Sequence, residues 1–113
     1  MLPVANRLTR RSDFELLRRE GKTVYTKLLR VRYRPTRRPS SRVAVVVSLQ
    51  VSKKATKRNR VKRRTAEVVR KTYPALPVGF DIAFYPSAAV ADVEAAVLAG
   101  AIIEVLKKAR LLT

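Results

Sequence analysis

The chain has 113 residues, of which 47% are hydrophobic, and its 26 Lys and Arg against 8 Asp and Glu give a formal net charge of +18. That length fits one compact domain with one core, the apolar content does not fit a disordered basic tail, and the charge calls for a polyanionic partner. With no Cys and no His, disulfides, thiolate metal sites and imidazole chemistry are excluded.

The charge is unevenly placed. Residues 1–71 hold 23 basic and 4 acidic residues, and residues 72–113 hold 3 and 4, so the cations mark particular elements. Met1 to Asn6 lacks the charged flank and apolar core of a signal peptide. The most apolar tract, Ala88 to Leu106, contains Asp92, Glu94 and Glu104 and reads as an amphipathic helix, not a membrane span. A cytoplasmic protein without a membrane partner is expected, an anionic lipid surface being the rival partner for so basic a chain.

Asn6-Arg7-Leu8-Thr9-Arg10-Arg11 reads as a basic, extended lead-in. Ser12 starts a helix, with Ser12 and Glu15 as a capping box, Phe14 and Leu17 on one face and Gly21 as a left-handed terminator. Asp13 and Glu15 are assigned to the cap and the helix dipole. Thr23 to Arg34 alternates as one half-buried strand, Leu29, Val31 and Tyr33 inward and Arg30, Arg32 and Arg34 outward. Residues 34–41 form a Pro- and Ser-rich loop. Arg42 to Leu49 holds an unbroken apolar run, Val43 to Val47, that predicts a strand buried on both faces.

Residues 53–64, eight of twelve Lys or Arg with no carboxylate, come next. Val61, Thr65, Val68, Val69 and Thr72 recur at helical spacing, leaving Asn59, Arg60, Arg63, Arg64, Glu67, Arg70 and Lys71 on the opposite half and Arg58 and Lys62 at the edge. The run is therefore the start of an amphipathic helix that holds its cations in fixed register, and Tyr73-Pro74 stops it. Gly79 to Pro86 predicts a further strand. Asp92 to Arg110 predicts a last helix with Val93, Val97, Leu98, Ala101, Ile102, Val105, Leu106 and Ala109 on one side. The sum is an α+β fold, a single-domain α/β sandwich of one sheet with helices packed on it.

The eight acids form no metal-binding or proton-transfer cluster, so autonomous catalysis has no constellation to rest on. Binding remains. The basic helix lacks a helix-turn-helix partner for reading DNA, and Arg and Lys suit phosphates better than base edges. RNA calls for phosphate contacts plus aromatic faces; Phe14, Tyr25, Tyr33, Phe80, Phe84 and Tyr85 are the candidates, core packing being the competing role, above all for Phe80 and Phe84. A ribosomal or general RNA-chaperone protein without enzymatic role satisfies the same features.

Four segments in order resemble the protein subunit of bacterial ribonuclease P: Asn6-Arg7-Leu8 with Asp13-Phe14 and Gly21, then Arg42-Val43-Ala44-Val45-Val46-Val47-Ser48, then Lys54 to Arg63 with its Arg58-Asn59-Arg60, then Gly79-Phe80-Asp81-Ile82. The resemblance spans residues 1–113. It implies the order α-β-β-β-α-β-α, a mainly four-stranded sheet and a left-handed crossover. It further implies a subunit of an endoribonuclease in which a catalytic RNA, with Mg²⁺, removes the 5′ leader of precursor tRNA. No small-molecule substrate is implied. By the same resemblance Lys53, Lys54, Lys57, Arg58, Asn59, Arg60, Lys62 and Arg63 contact the RNA subunit, Asn59 also orienting a metal-bound water. Phe14, Arg7, Arg10, Arg11, Arg18, Arg30 and Arg32 line the leader cleft. The chain departs from the pattern at Leu49 and Gln50, where two basic residues are usual, at the missing glycine near Ser52 and Lys53, and at Arg18, where a second aromatic is usual.

Overall fold

A computed structural model describes residues 2–112. Its regular elements are α1 (Arg11–Glu20), β1 (Lys22–Tyr25), β2 (Leu29–Pro35), β3 (Arg42–Val45), α2 (Ala55–Thr72), β4 (Phe80–Pro86) and α3 (Ala95–Lys108). Single 3-10 turns occupy Val4–Asn6, Tyr73–Ala75 and Ala88–Ala91. The strands lie in the order β1-β2-β4-β3. β1–β2 and β2–β4 pair antiparallel, and β3 runs parallel to β4, with α2 as the connection between them. No helix among the described residues is long and apolar enough to cross a membrane.

The period of two splits the sheet into two unlike faces. Val24, Leu29, Val31, Val43, Val45, Ile82 and Phe84 turn to one face. There they pack with Val61 and Val69 of α2 and with Leu98, Ile102, Val105 and Leu106 of α3. The other face carries Thr23, Tyr25, Arg30, Arg32, Arg34, Arg42, Ala44, Asp81, Ala83 and Tyr85, as the strand registers require. Only α1 covers it. Leu17 and Leu8 bury themselves against Ala83 with Phe14, Ala44 and Tyr85 alongside. The small side chains of Ala44 and Ala83 let α1 approach the sheet there, while the rest of this polar face stays open.

Arg42 fixes that approach. Although 8% exposed, it is charged. Its Nε and Nη2 donate to the two oxygens of the fully buried Asp81 at 3.0 and 2.9 Å, and its Nη1 donates to Asp13 of α1 at 3.0 Å. Arg34 approaches Asp81 at 4.0 Å from the opposite strand and Glu20 of α1 at 3.6 Å. Asp81 is the register partner of both Arg34 and Arg42, so one carboxylate is clamped between guanidinium groups on its two neighbouring strands. The hydrogen bond from Arg42 to Asp81, with Asp13 adding to it, raises the Arg42 pKa above its ordinary value against the opposing effect of burial. The group thus stays charged across the neutral range.

Several elements differ from their sequence reading. The 23–34 stretch is two strands, because Thr26 N donates to Leu29 O at 2.8 Å and closes a hairpin; alternation survives a tight turn and so did not reveal it. β3 ends at Val45 and is an edge strand, with Ala44 to Val47 half-buried. Its outer edge receives Leu8 N, which donates to Val43 O at 2.9 Å. Ser12 does not cap α1. The N-cap is Arg10 without a side-chain bond, Asp13 is drawn to Arg42, and Glu15 accepts from Arg11 at 3.2 Å. Gly21 is extended, not left-handed; glycine is required because a Cβ would lie 2.4 Å from Leu17 O and 3.1 Å from Tyr33 O. The last helix begins at Ala95, and Val97 is 51% exposed because it falls off the core-facing stripe.

Removing one partner of a buried pair leaves the other charge uncompensated, so Asp81→Asn should cost about 3–5 kcal/mol in urea unfolding, against less than about 0.5 kcal/mol for Glu104→Gln on the exposed face of α3.

Candidate nucleic-acid interface

The motif helix presents its cations because its other face is anchored. Val61, Thr65 and Val69 are buried, so Asn59, Arg60, Lys62 and Arg63 emerge on the exposed side with Lys53 and Lys54 before them, while Lys57 and Arg58 are half-buried. The helix N-terminus intensifies the positive field. Lys54 is the N-cap without a side-chain bond, and no acid stands in the first turn. The dipole's positive end and the clustered ammonium and guanidinium groups add up, an arrangement that favours an anion and disfavours the isolated helix. None of the ion pairs formed among the described residues involves Lys53, Lys54, Lys57, Arg58, Arg60, Lys62 or Arg63. Farther along, Glu67 takes Arg70 at 2.7 Å and Lys71 at 3.6 Å. Arg70 holds the Glu67 carboxyl below its usual range.

Three arginines of this helix also do structural work that its periodicity did not reveal. Arg58 Nη1 donates to Ser52 O at 2.8 Å and ties back the turn before the helix. Arg60 Nε donates to Ala91 O at 2.8 Å. Arg64 Nη1 donates to Val90 O at 2.6 Å and its Nη2 to Val93 O. Arg60 and Arg64 thereby satisfy carbonyls at the end of the Ala88–Ala91 turn, fastening α2 to the segment that leads into α3. The exposed Arg60 serves this fastening through one nitrogen.

On the open sheet face lies a cleft of about 560 Å³ between α1 and strands β1, β2 and β4, lined by Arg11, Phe14, Glu15, Arg18, Thr23, Tyr25, Arg30, Arg32 and Tyr85. Of the residues named for the leader, it brings together Phe14, Arg11, Arg18, Arg30 and Arg32. Arg7 and Arg10 are not among its walls: Arg7 bridges to Val43 at the far sheet edge and Arg10 caps α1. Arg32 turns back onto the protein. Its Nε donates to Leu17 O at 2.9 Å, Nη2 to Arg18 O and Nη1 to Thr23 Oγ1. It thus neutralises the carbonyl end of α1.

Arg30 does something different. It is the register partner of Tyr25 on one side and Tyr85 on the other, and its guanidinium lies 4.5 Å from the centre of the Tyr85 ring. The chain thus sets Tyr-Arg-Tyr in a row across three strands. Arg18 of α1 lines the cleft with its charge, and Tyr25, 61% exposed, and Tyr85 supply aromatic surface beside Phe14. These two were aromatic candidates without an assigned place. Tyr85 shares strand parity with Asp81 and Ala83, opposite to the buried Ile82 and Phe84, which is the signal that separates it from the core. Phe84 is fully buried and Phe80 half-buried against Tyr33.

A resident metal finds no fitting donor set. Among the described residues no three Asp or Glu cluster, and Asp13, Glu20 and Asp81 already face arginines.

The family profile described as Ribonuclease P matches residues 2–110. The ribonuclease P protein component of Chloroflexus aggregans is 36% identical over 110 residues, covering 96% of this chain and 81% of that protein. That of Thermotoga maritima is 38% identical over 80 residues, 71% of this chain and 68% of that one. The solved Thermotoga maritima RNase P protein superposes with a TM-score of 0.79 at 32% identity, covering 90% of this chain and 96% of the other. The Staphylococcus aureus RNase P protein reaches 0.83 at 20% identity over 96% and 98% of the two chains, a likeness of fold.

The two kinds of arginine on α2 should separate in a thermal or urea melt. Arg64→Ala, which strips two carbonyls of their donors, should destabilise by about 1–3 kcal/mol; Arg63→Ala should stay within about 0.5 kcal/mol of the parent.

Proposed function

This chain belongs to the ribonuclease P protein family, and from that premise we propose that its two cationic surfaces divide the work of one holoenzyme. Within the family it is the protein subunit of the endoribonuclease that matures tRNA 5′ ends, and its principal partner is the ribonuclease P RNA. The finer assignment is our reading. The start of α2 and the turn before it, with Lys53, Lys54, Lys57, Arg58, Asn59, Arg60, Lys62 and Arg63, bind phosphates of the RNA subunit, the half-buried Lys57 and Arg58 through their outer ends. The cleft between α1 and the sheet takes the single-stranded leader of precursor tRNA through Phe14, Arg11, Arg18 and Arg30, with Tyr25 and Tyr85 supplying further faces. Arg7 and Arg10 act from outside the cleft walls, as long-range attraction for the incoming strand. Arg32 acts by holding α1 over the cleft and by its charge.

The observation that carries this reading is the unneutralised helix start. A helix whose first turn combines the dipole's positive end with several cations and no acid is stabilised by an anion, and a regular polyanion satisfies all of them together. Arg adds bidentate geometry toward phosphate. Hydrolysis is assigned to the RNA. Mg²⁺ is assigned there too, since Asp13, Glu20 and Asp81 already face arginines; Asn59, exposed on α2, would hydrogen-bond a metal-bound water. Reaction in the cytoplasm completes the proposal.

Purified protein added to a bacterial ribonuclease P RNA at low Mg²⁺ should accelerate leader release from precursor tRNA, whereas a ribosomal or chaperone protein would give no such stimulation. Lys62→Ala with Arg63→Ala should abolish most of it with an unchanged melting curve. Each phosphate that the variant no longer neutralises should flatten the slope of log K against log salt by roughly 0.7–0.9. Full stimulation by the double variant would remove α2 from the interface.

A further inference from the structure

Residues 21–80 hold 18 Lys and Arg and a single acid, Glu67. Its place on α2 interrupts a regular pattern. From Asn59 onward the exposed side chains of this helix come in pairs, one pair to a turn: Asn59 and Arg60, Lys62 and Arg63, Ala66 and Glu67, Arg70 and Lys71. The first two pairs bring three cations, none of them in an ion pair among the described residues. The third pair is a methyl group and a carboxylate. The fourth is cationic again, but Arg70 and Lys71 both turn to Glu67, at 2.7 and 3.6 Å. The unneutralised ridge therefore ends at Arg63, and the cations beyond it are held by the one acid.

Helix stability gives little reason for that acid. Arg70 and Lys71 stand in the last turn, where the negative end of the dipole favours cations without further help. Both ion pairs are exposed, and exposed pairs contribute little. Hydrogen bonds from Arg70 lower the Glu67 pKa, so its charge persists through the neutral range.

We propose that Glu67 is a specificity-determining residue for the RNA subunit: it ends the phosphate-binding footprint on α2 and thereby fixes the register of the RNA along the helix. The proposal deepens the assignment of the start of α2 to the RNA subunit and rests on it. Phosphate contacts attract without reading sequence. A ridge cationic all the way to Lys71 would offer a polyanion several nearly equivalent positions along its length. The carboxylate removes that degeneracy. A phosphate displaced by one turn, about 5.4 Å, from Lys62 and Arg63 toward the C-terminus meets a like charge and is repelled. RNA shaped to use the cations up to Arg63 keeps every contact, whereas RNA laid along the whole helix does not.

The test compares the parent protein with Glu67→Gln and with Glu104→Gln, which removes the same charge from the exposed face of α3. Affinity for a bacterial ribonuclease P RNA, and for an unrelated structured RNA of equal length, is measured between roughly 50 and 200 mM salt. On the unrelated RNA, Glu67→Gln should steepen the slope of log K against log salt by roughly 1.4–1.8, since Arg70 and Lys71 become two further phosphate contacts at about 0.7–0.9 each. Its affinity there should gain about tenfold over the parent's from the high to the low end of that range. On the ribonuclease P RNA the slope should stay at the parent value, so discrimination between the two RNAs falls. Adding Arg70→Ala and Lys71→Ala to Glu67→Gln should restore the parent slope, and Glu104→Gln should leave both slopes alone. Unaltered binding of the unrelated RNA by Glu67→Gln would overturn the proposal, even with a shifted melting curve, because the acid would then serve the helix only. Equal steepening on both RNAs, or the same gain from Glu104→Gln, would overturn it too. Failure of the parent protein to stimulate leader removal would instead overturn the broader reading, so the two failures are distinguishable.

Discussion

The fully buried Asp81 carboxylate holds the architecture of the functional face. It sits at 2.9–3.0 Å from Arg42 and at 4.0 Å from Arg34, and Arg42 in turn grips Asp13 of α1. In a chain with more than three cations for every acid, carboxylates are scarce, and three of them serve this one junction: Asp81, Asp13 and, through Arg34, Glu20. The reason is geometric. α1 has to lie on a sheet face that carries four arginines, and the hydrophobic cluster beneath it has only Leu8, Leu17 and Ala83 fully buried. Charged hydrogen bonds supply both attraction and register.

The junction also determines where the cleft beside α1 begins. α1 is pinned at its start by Asp13, near its end by the Arg32 bonds to Leu17 O and Arg18 O, and beyond it by the close approach at Gly21. What it leaves uncovered is the row Tyr25, Arg30, Tyr85. The apolar face of the same sheet is sealed by α2 and α3, so the two faces carry out separate tasks. One builds the core that holds the motif helix in place, and the other leaves aromatic and guanidinium surface open.

Cations on this protein fall into two populations that look alike in composition. Arg42, Arg32 and Arg64 are turned inward, to carboxylates or to backbone carbonyls, and hold elements together. Lys53, Lys54, Lys62 and Arg63 are turned outward without a carboxylate partner among the described residues. Arg58 and Arg60 belong partly to both, fastening the backbone through one nitrogen each. The outward group is destabilising for the free protein and becomes favourable when a polyanion arrives, which makes RNA binding and the integrity of this surface one problem.

The order of helices and sheet strands, the amphipathic motif helix and the family were legible from residues alone, because each depends on local periodicity or on contiguous motifs. Val61, Thr65 and Val69 could be read as buried for the same reason. Ends and partners were less legible. Ser12 looked like a cap and Asp13 like its companion, but Arg42, distant in sequence, captures Asp13. Gly21 looked like a left-handed terminator and is instead a spacing requirement set by Leu17 and Tyr33. The run Val43 to Val47 implied a central strand and belongs to an edge. The sequence by itself determined which residues are cationic, which face of each helix is apolar and therefore that a polyanion is the partner. Only the tertiary structure decided which arginines remain available to that partner, because a guanidinium's role depends on whether a carboxylate or carbonyl from another element lies within its reach.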